Sequence, residues 1–323
     1  MERELALEFA RVTEAAALNS ARWMGKGDKI AADDAAVKAM RAMFDTVNID
    51  GTVVIGEGEM DEAPMLYIGE KVGSGKGSKV DIAVDPLEGT NLVAKGMNGS
   101  IAVLAVAEEG VLLHAPDMYM DKIAVGPGAK GAINIELSLE ENIRNTAKAL
   151  GKRVEELTVV ILERPRHAKQ IETIRKLGCR IKLITDGDVS PAVATAIPNS
   201  GVDMVIGIGG APEGVLAAAA LKAMGGDMQG RLVPEDDYDL ERARKLGITD
   251  INKPLTLDDM VKNDDVIFVA TGITDGDLLE GVRFYPDRAT THTVVMRGLT
   301  GTVRFIKAHH YYNKKPKYVK MQG

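Results

Sequence analysis

The first third of the chain mixes helical and strand-like spacing of its apolar residues. Residues 3–24 place apolar side chains at helical spacing and predict an amphipathic helix. A second helix is expected to open at Asp33 and Asp34, either of which could be its N-cap, because a carboxylate accepts the free N–H groups of a first turn. Short strands flanked by helices, without strict alternation, indicate an α+β unit. The strands are expected at 52–55, 80–85 and 101–107.

Beyond about residue 155 the pattern becomes regular, with strands and helices in βαβαβα order. This order predicts a parallel, doubly wound sheet, which binds ligands beyond the carboxyl ends of its strands. The fold class is therefore α/β, with an N-terminal α+β domain at 1–154 and a C-terminal α/β domain at 155–323. The last strands of the chain either complete the second sheet or return to the first domain. The regular elements are strands at 157–162, 180–185 and 203–208 and helices at 165–177, 191–197 and 213–224.

Polar residues follow each strand of this regular half. Because the carboxyl ends of parallel strands share one edge of a sheet, these residues are expected to lie together. The helix that starts near Glu213 also points its free N–H groups toward this edge, where they can meet an anion. The polar residues are Arg164 and Arg166, then Asp186 and Asp188, then the segment 209–213.

The stretch 80–91 concentrates candidate chemistry at the end of one strand. Pro86 has no N–H to continue a ladder, so the chain is expected to leave the sheet at Asp85. Two carboxylates, Asp85 and Glu88, and the Thr90 hydroxyl are thereby crowded onto one turn. Like charges this close repel each other, which is typical of a site for a hard cation. An Asx-type turn with a helix N-cap at Thr90 would explain the same residues without a metal.

Composition narrows the class of protein. A chain of 323 residues predicts two domains, and a net charge of −7 argues against a nucleic-acid surface. Neither a signal-peptide core nor an apolar run of membrane-spanning length is present, so we expect no membrane partner and a cytoplasmic location. Cys179 is the one cysteine, which excludes an internal disulfide and agrees with a reducing compartment. The acids Glu59, Asp61 and Glu62 are expected in a solvated loop, and Lys314, Lys315, Lys317 and Lys320 in a solvated or subunit-contact tail.

Acidic side chains from separate parts of the chain could share one metal site. Glu57 stands between two glycines, which bring the backbone close and leave its carboxylate free to bind. No Cys or His accompanies the acids, which disfavours zinc and favours Mg²⁺ or Mn²⁺. The candidate ligands are Asp33, Glu57, Asp85, Glu88 and Glu213.

The predicted site combines a cation with two arginines. Divalent cations bind phosphate directly and make a bound water a better nucleophile. Arg164 and Arg166 would hold a second anionic group, because guanidinium matches phosphate geometry. Asp186 and Asp188 would accept hydrogen bonds from hydroxyls. Two anionic ends with hydroxyls between them describe a sugar bisphosphate.

Several motifs resemble those of a known enzyme family. Asp85-Pro-Leu-Glu-Gly-Thr90 is similar to the Asp-Pro-x-Asp-Gly-Thr motif of the lithium-sensitive, metal-dependent phosphatases, which include inositol monophosphatases and fructose bisphosphatases. Over nearly its full length the chain resembles the class II (GlpX-type) fructose-1,6-bisphosphatases of bacteria. Further matching segments are 56–59, 163–167, 185–188, 207–214 and 271–276.

The resemblance implies a layered α/β sugar-phosphatase fold, a homo-oligomer (dimer or tetramer) and hydrolysis of the C1 phosphate of fructose 1,6-bisphosphate in gluconeogenesis. It also implies that the five acids bind the metal. In this hypothesis Thr90, oriented by a carboxylate such as Asp33, positions the attacking water. The substrate contacts that it implies are Glu88, Gly89, Thr90, Tyr119, Arg164, Pro165, Arg166, Asp186, Gly187, Asp188 and Gly210.

The chain departs from the wider superfamily at two positions. Glu88 replaces the usual aspartate, and Glu213 follows Ala-Pro where Trp-Asp is usual, so the metal positions of inositol monophosphatases are not carried over.

Alternative functions also fit the sequence. Sedoheptulose 1,7-bisphosphate or an inositol phosphate is the alternative substrate. A non-catalytic sugar-phosphate sensor would keep the arginines. A nucleotide-binding dehydrogenase would need the full G-x-G-x-x-G spacing, which 207–210 lacks.

Overall fold

The computed structural model describes residues 1–58 and 64–314. The predicted acidic loop with Glu59, Asp61 and Glu62 lies outside the described residues, as do Lys315, Lys317 and Lys320 of the predicted tail. The α-helices are α1 (Leu5–Ser20), α2 (Lys29–Phe44), α3 (Thr90–Lys95), α4 (Leu139–Leu150), α5 (Ala168–Lys176), α6 (Val189–Ala194), α7 (Ala211–Met224), α8 (Asp237–Lys245) and α9 (Leu257–Met260).

The strands form two sheets, which confirms the α/β class. Their bounds are β1 (Ile49–Ile55), β2 (Lys71–Val72), β3 (Ser78–Glu88), β4 (Ile101–Glu108), β5 (Tyr119–Val125), β6 (Thr158–Leu162), β7 (Arg180–Ile184), β8 (Met204–Gly210), β9 (Asp227–Val233), β10 (Leu255–Thr256), β11 (Val266–Gly272), β12 (Arg283–Phe284), β13 (Arg288–Arg297) and β14 (Thr302–Tyr311).

The first sheet runs in the order β12-β13-β11-β4-β3-β1-β2, with β14 paired to β13. Helices α1 and α2 cover one face, and α7 packs on the other. Since α7 also contacts β5, β8 and β9, it lies between the two sheets. Its alanines are buried on every side, and such small side chains allow both sheets to approach the helix closely. Helices α4 and α5 cover the far face of the second sheet, so the layers alternate between helices and sheets.

The second sheet runs in the order β10-β9-β5-β8-β6-β7. Strand β6 is parallel to β7 and β8, as the βαβαβα pattern predicted. Strand β5 is antiparallel to β8 and β9, so the complete sheet is mixed. Strand β5 precedes residue 155 yet belongs to this sheet, and β11 to β14 return to the first sheet. The domain boundary near residue 155 stays a prediction.

Two local predictions were wrong. Helix α2 begins earlier than expected, because the Asp28 carboxylate caps it by accepting the Ala31 N–H at 2.9 Å, and Asp33 lies inside the helix. Strand β3 does not end at Asp85 but runs to Glu88. The pairing of β3 with β4 shifts register between these two acids, and Pro86 is tolerated there because a bulge leaves it without a ladder partner.

The composition predicted that the chain has no membrane-spanning segment and that Cys179 forms no internal disulfide. No helix in the described part of the chain is long and apolar enough to cross a membrane. Cys179 is free and 7% exposed at the junction of α5 and β7. It packs with the core between the second sheet and α4, as a small structural residue would.

Candidate active site

A cavity of about 460 Å³ lies where strand ends of both sheets meet. Pro165 is the one predicted site residue that does not line it, because this residue starts an exposed turn of 3-10 helix. Tertiary structure thus gathers residues from seven separate regions of the chain around one space. The predicted residues that line it are Asp33, Glu57, Asp85, Glu88, Gly89, Thr90, Tyr119, Arg164, Arg166, Asp186, Gly187, Asp188, Gly210 and Glu213.

One part of the lining is a group of acids whose charges are mutually unfavourable. Burial raises the pKa of Glu57 to about 8, with the Asp33 carboxylate as the next cause. Burial likewise raises the pKa of Glu88 to about 8, followed by the influence of Asp188. The pKa of Asp85 is well above its usual value, first through burial and then through Glu57. Burial also raises the pKa of Asp33. A nearby positive charge would relieve this repulsion.

Two carboxylate oxygens in this group have no hydrogen-bond donor. Glu88 accepts the Val189 N–H through Oε1 at 2.7 Å, but its Oε2 is buried without a partner in the described structure. Oε2 of Glu213, at the start of α7, is buried and unpartnered in the same way. Burial also raises the pKa of Glu213. Leaving such oxygens unpaired is costly, so their position favours a bound cation.

A divalent metal fits this set of donors. Within residues 1–58 and 64–314, no three His, Cys, Asp or Glu side chains form a ready-made group that could hold a metal ion. Mg²⁺, however, is usually held by one or two carboxylates together with phosphate oxygens and water. The unpartnered oxygens of Glu88 and Glu213 are hard donors of this kind. We therefore regard the residues as suited to Mg²⁺ or Mn²⁺ in the presence of a phosphate group.

A turn in the backbone directly before Thr90 places this residue at the cavity. The Asp85 carboxylate accepts the Leu87 N–H at 3.0 Å, which is the Asx-type turn considered from the sequence. Gly89 then adopts a φ of 82° and is the N-cap of α3, so Thr90 is the first helical residue and not the cap. The Thr90 hydroxyl is half-buried and makes no hydrogen bond to any described residue. It is therefore available to water or substrate.

The opposite part of the lining, from the second sheet, carries the arginines. Arg166 lies over the Tyr119 ring, 4.6 Å from its centroid, and its Nη2 donates to the Ile208 carbonyl at 2.8 Å. Asn91 Nδ2 donates to Asp186 at 3.0 Å and so links the two walls. These contacts fix the side chains while leaving guanidinium N–H groups available for an anion.

Lys122 is a site residue that the sequence reasoning missed. Its Nζ lies 2.7 Å from Oδ2 of Asp188 and donates to the Gly210 carbonyl at 2.9 Å. The lysine is only 6% exposed and acts to lower the pKa of both Glu88 and Glu213. A lysine in the middle of β5, directly before the apolar run 123–125, was the available signal, since lysines are almost never buried without a partner.

Replacing Lys122 by Met should lower the free energy of unfolding by about 3–5 kcal/mol, because it breaks a buried ion pair. The loss should be greater at pH 8 than at pH 6. Glu88 and Glu213, whose pKa values burial raises, then carry more negative charge that no internal cation balances. Urea unfolding at both pH values in the presence of a chelator measures the effect.

The matched control for this prediction is Lys182→Met. Lys182 pairs with Asp277 on the surface, where the two side chains are 42% and 39% exposed. Such a pair contributes about 0–1 kcal/mol. Equal losses in the two variants would show that Lys122 has no special electrostatic role in the cavity.

Known proteins match the chain along nearly its full length. The family model described as bacterial fructose-1,6-bisphosphatase, glpX-encoded, matches residues 3–310. The chain is 54% identical to fructose-1,6-bisphosphatase 1 class 2 of Escherichia coli K12 over 328 residues, covering 98% of this chain and 97% of the relative. It is 50% identical to fructose-1,6-bisphosphatase class 2 of Haemophilus influenzae over 324 residues, covering 96% and 97%.

Proposed function

The chain belongs to the glpX-encoded family of bacterial fructose-1,6-bisphosphatases, and we propose that the 460 Å³ cavity is its active site. The protein is a phosphoric monoester hydrolase that converts fructose 1,6-bisphosphate to fructose 6-phosphate and phosphate, the gluconeogenic reaction implied by the resemblance. The residues that carry out this reaction, the metal and the assembly state are the subject of the proposal.

The distribution of charge around the cavity is the observation that carries the assignment. Acids from the first sheet and from α7 line one part, and Arg164 and Arg166 line another part of the same space. A cation held by the acids would bind one phosphate, and the arginines would bind the second. Asp186 and Asp188 lie in the same lining and would accept hydrogen bonds from the sugar hydroxyls.

The proposed metal ligands are Asp33, Glu57, Asp85, Glu88 and Glu213, and the proposed ion is Mg²⁺ or Mn²⁺. When bound, such an ion balances the charge of the C1 phosphate and makes a coordinated water more acidic. The chain contributes oxygen donors in a cavity where their own repulsion raises their pKa values. Gly210 leaves room for one of them, because a side chain at this position would collide with the Glu213 carboxylate.

In the proposed mechanism Thr90 orients the attacking water through its hydroxyl. Asp33 lines the same cavity, and its carboxylate would orient Thr90 by accepting a hydrogen bond from this hydroxyl in the substrate complex. The water oxygen bonds to phosphorus as the bond from phosphorus to the C1 oxygen breaks. The C1 oxygen takes up a proton, which overall is the one that the attacking water gives up, so the products are the sugar monophosphate and phosphate. Arg166 and Tyr119 hold the far end of the substrate so that the C1 phosphate is positioned for in-line attack.

Phosphate release from a panel of sugar phosphates with Mn²⁺ tests this function. We expect the highest kcat/KM for fructose 1,6-bisphosphate, with fructose 6-phosphate as the product. The panel includes sedoheptulose 1,7-bisphosphate and an inositol monophosphate, which differ by one carbon or by the ring. Faster turnover of the inositol phosphate would overturn the assignment of the two arginines to a second phosphate.

Replacing Arg166 by Gln should raise KM for fructose 1,6-bisphosphate on the order of 10–100-fold, because it removes charge-assisted hydrogen bonds to the second phosphate. KM for a substrate with only the C1 phosphate should change far less, since this substrate has no group for the arginine. Steady-state phosphate release with both substrates gives the comparison.

Arg153→Gln provides the control for Arg166. Arg153 is exposed, pairs with Glu156 and does not line the cavity, so its replacement should leave both KM values unchanged. If Arg166→Gln raises the two KM values equally, the second phosphate binds elsewhere.

The remaining parts of the proposal concern assembly and location. We propose a homo-oligomer, which the family resemblance supports, and a sugar bisphosphate as the small-molecule partner. A cytoplasmic location is supported by the unpaired Cys179, which agrees with a reducing compartment. Light scattering of the purified protein would measure the subunit count.

A further inference from the structure

A second cavity, of about 380 Å³, lies between the start of α1 and the hairpin of β13 and β14. It shares no lining residue with the proposed active site. Arg3, Arg297 and Arg304 line it, together with Thr300 and Thr302. The other lining residues are apolar, so no carboxylate faces this concentration of positive charge from the lining.

The register of the hairpin explains how these side chains converge. Arg297 pairs directly with Thr302, and Val295 pairs directly with Arg304. Directly opposed residues in an antiparallel pair point to the same face, and so do residues two apart along a strand. The two arginines of the hairpin therefore share one face with Thr302. Helix α1 packs against β13, and Arg3 at its start completes the cavity.

Arg297 is the part of this cavity that requires a partner. The residue is only 7% exposed, yet its Nε has no hydrogen-bond acceptor. Its Nη2 donates to the Met1 carbonyl at 3.2 Å, which supplies no formal charge. Asp265 pairs with the amino group of Met1 and makes no ion pair with Arg297. Burying a cation without a counter-charge is unfavourable, so the site is electrostatically incomplete.

The positive charges of the other two arginines, Arg3 and Arg304, are not balanced by nearby acids. Neither Arg3 nor Arg304 forms an ion pair with any described residue. Three like charges around one cavity repel each other unless an anion lies between them. Guanidinium groups bind phosphate oxygens with pairs of parallel hydrogen bonds, and threonine hydroxyls add further donors.

We propose that this cavity binds a small organic phosphate monoester. The phosphate group is a dianion that matches the three arginines in charge and in hydrogen-bond geometry. The volume of about 380 Å³ falls within the range of small-molecule sites, which leaves room for a carbon skeleton attached to the phosphate. This binding site is independent of the proposed active site.

Thermal unfolding of the full chain tests the site. The protein is chelated with EDTA to exclude turnover, and the probes are 2-phosphoglycolate and inorganic phosphate, each compared with NaCl at equal ionic strength. The Arg166→Gln background weakens the second-phosphate position of the active site. In this background we expect 2-phosphoglycolate at ten times its Kd to raise the Tm on the order of 2–4 °C.

Adding Arg304→Gln to this background should remove most of the rise, because Arg304 is exposed and its loss does not disturb the core. Adding Arg153→Gln, which changes an arginine outside both cavities, should leave the rise intact. An unchanged rise with Arg304→Gln and with Arg3→Gln would overturn the site. If inorganic phosphate raises the Tm and 2-phosphoglycolate does not, the ligand is the free phosphate ion. This result would contradict a site for a phosphate monoester.

Arg297→Gln separates binding from a structural role. If the buried charge is there to bind an anion, the variant loses the response to 2-phosphoglycolate while its Tm in NaCl is unchanged or higher. If the side chain only braces the Met1 carbonyl, the Tm in NaCl falls and the response to 2-phosphoglycolate remains. The second result would contradict the proposal.

Discussion

Replacing Thr90 by Val should lower kcat for fructose 1,6-bisphosphate on the order of 10²–10⁴-fold, with little change in KM. Valine keeps the branched shape and removes only the hydroxyl. Because this hydroxyl makes no hydrogen bond to a described residue, its loss should not disturb the fold. The effect therefore measures its contact with the attacking water. Steady-state kinetics with Mn²⁺ and a melting curve of the variant give the two readouts.

Thr195→Val is the matched control for Thr90. Thr195 is also half-buried next to a short helix, but its hydroxyl donates to the Ala192 carbonyl and lies outside both cavities. We expect normal kcat for this variant. If Thr90→Val also turned over normally, the Thr90 hydroxyl would have no part in the mechanism.

Removing divalent cations should abolish activity and make stability depend strongly on pH. In the metal-free protein Glu57 and Glu88 have pKa values of about 8, above the ordinary value near 4.5. The folded state then binds more protons than the unfolded state, so stability falls as pH rises from about 4.5 to 8. We expect a lower Tm at pH 8 than at pH 6 in EDTA, measured by scanning calorimetry.

Adding Mn²⁺ should restore activity and raise the Tm, more at pH 8 than at pH 6, because metal ligands must be deprotonated. Asp277→Asn changes an exposed acid outside the cavity and should behave like the parent protein. If neither Mn²⁺ nor Mg²⁺ moves the melting curve, the buried acids do not form a metal site.

Local pattern predicted much of the candidate site. The segment from Asp85 to Thr90 contains its own turn, so its carboxylates and hydroxyl are close together whatever surrounds them. The ends of β6, β7 and β8 were expected on one edge because strands in βαβ units run parallel. All of these side chains line one cavity. The chemical roles assigned to them remain proposals that the variants above address.

Local rules predicted the boundaries of two elements incorrectly. Asp33 had the sequence features of an N-cap, but Asp28 caps the helix and leaves Asp33 one turn further along, facing the cavity. Pro86 was expected to end its strand, but a register shift accommodates it and carries Glu88 to the end of β3. In both places the sequence determined the type of element. The Asp28 cap set the start of α2, and the register shift set the end of β3.

The sequence by itself determined the kinds of elements, the acids and arginines at strand ends, and the family. Tertiary structure alone decided that β5 joins the second sheet, that β11 to β14 return to the first, and that α7 lies between them. It also placed Lys122 beside Asp188 and brought Arg3 to the face of the β13–β14 hairpin that carries Arg297. The physical reason is that apolar periodicity specifies which face of an element is buried. The partner that buries this face is chosen by long-range pairing, which leaves no local signal.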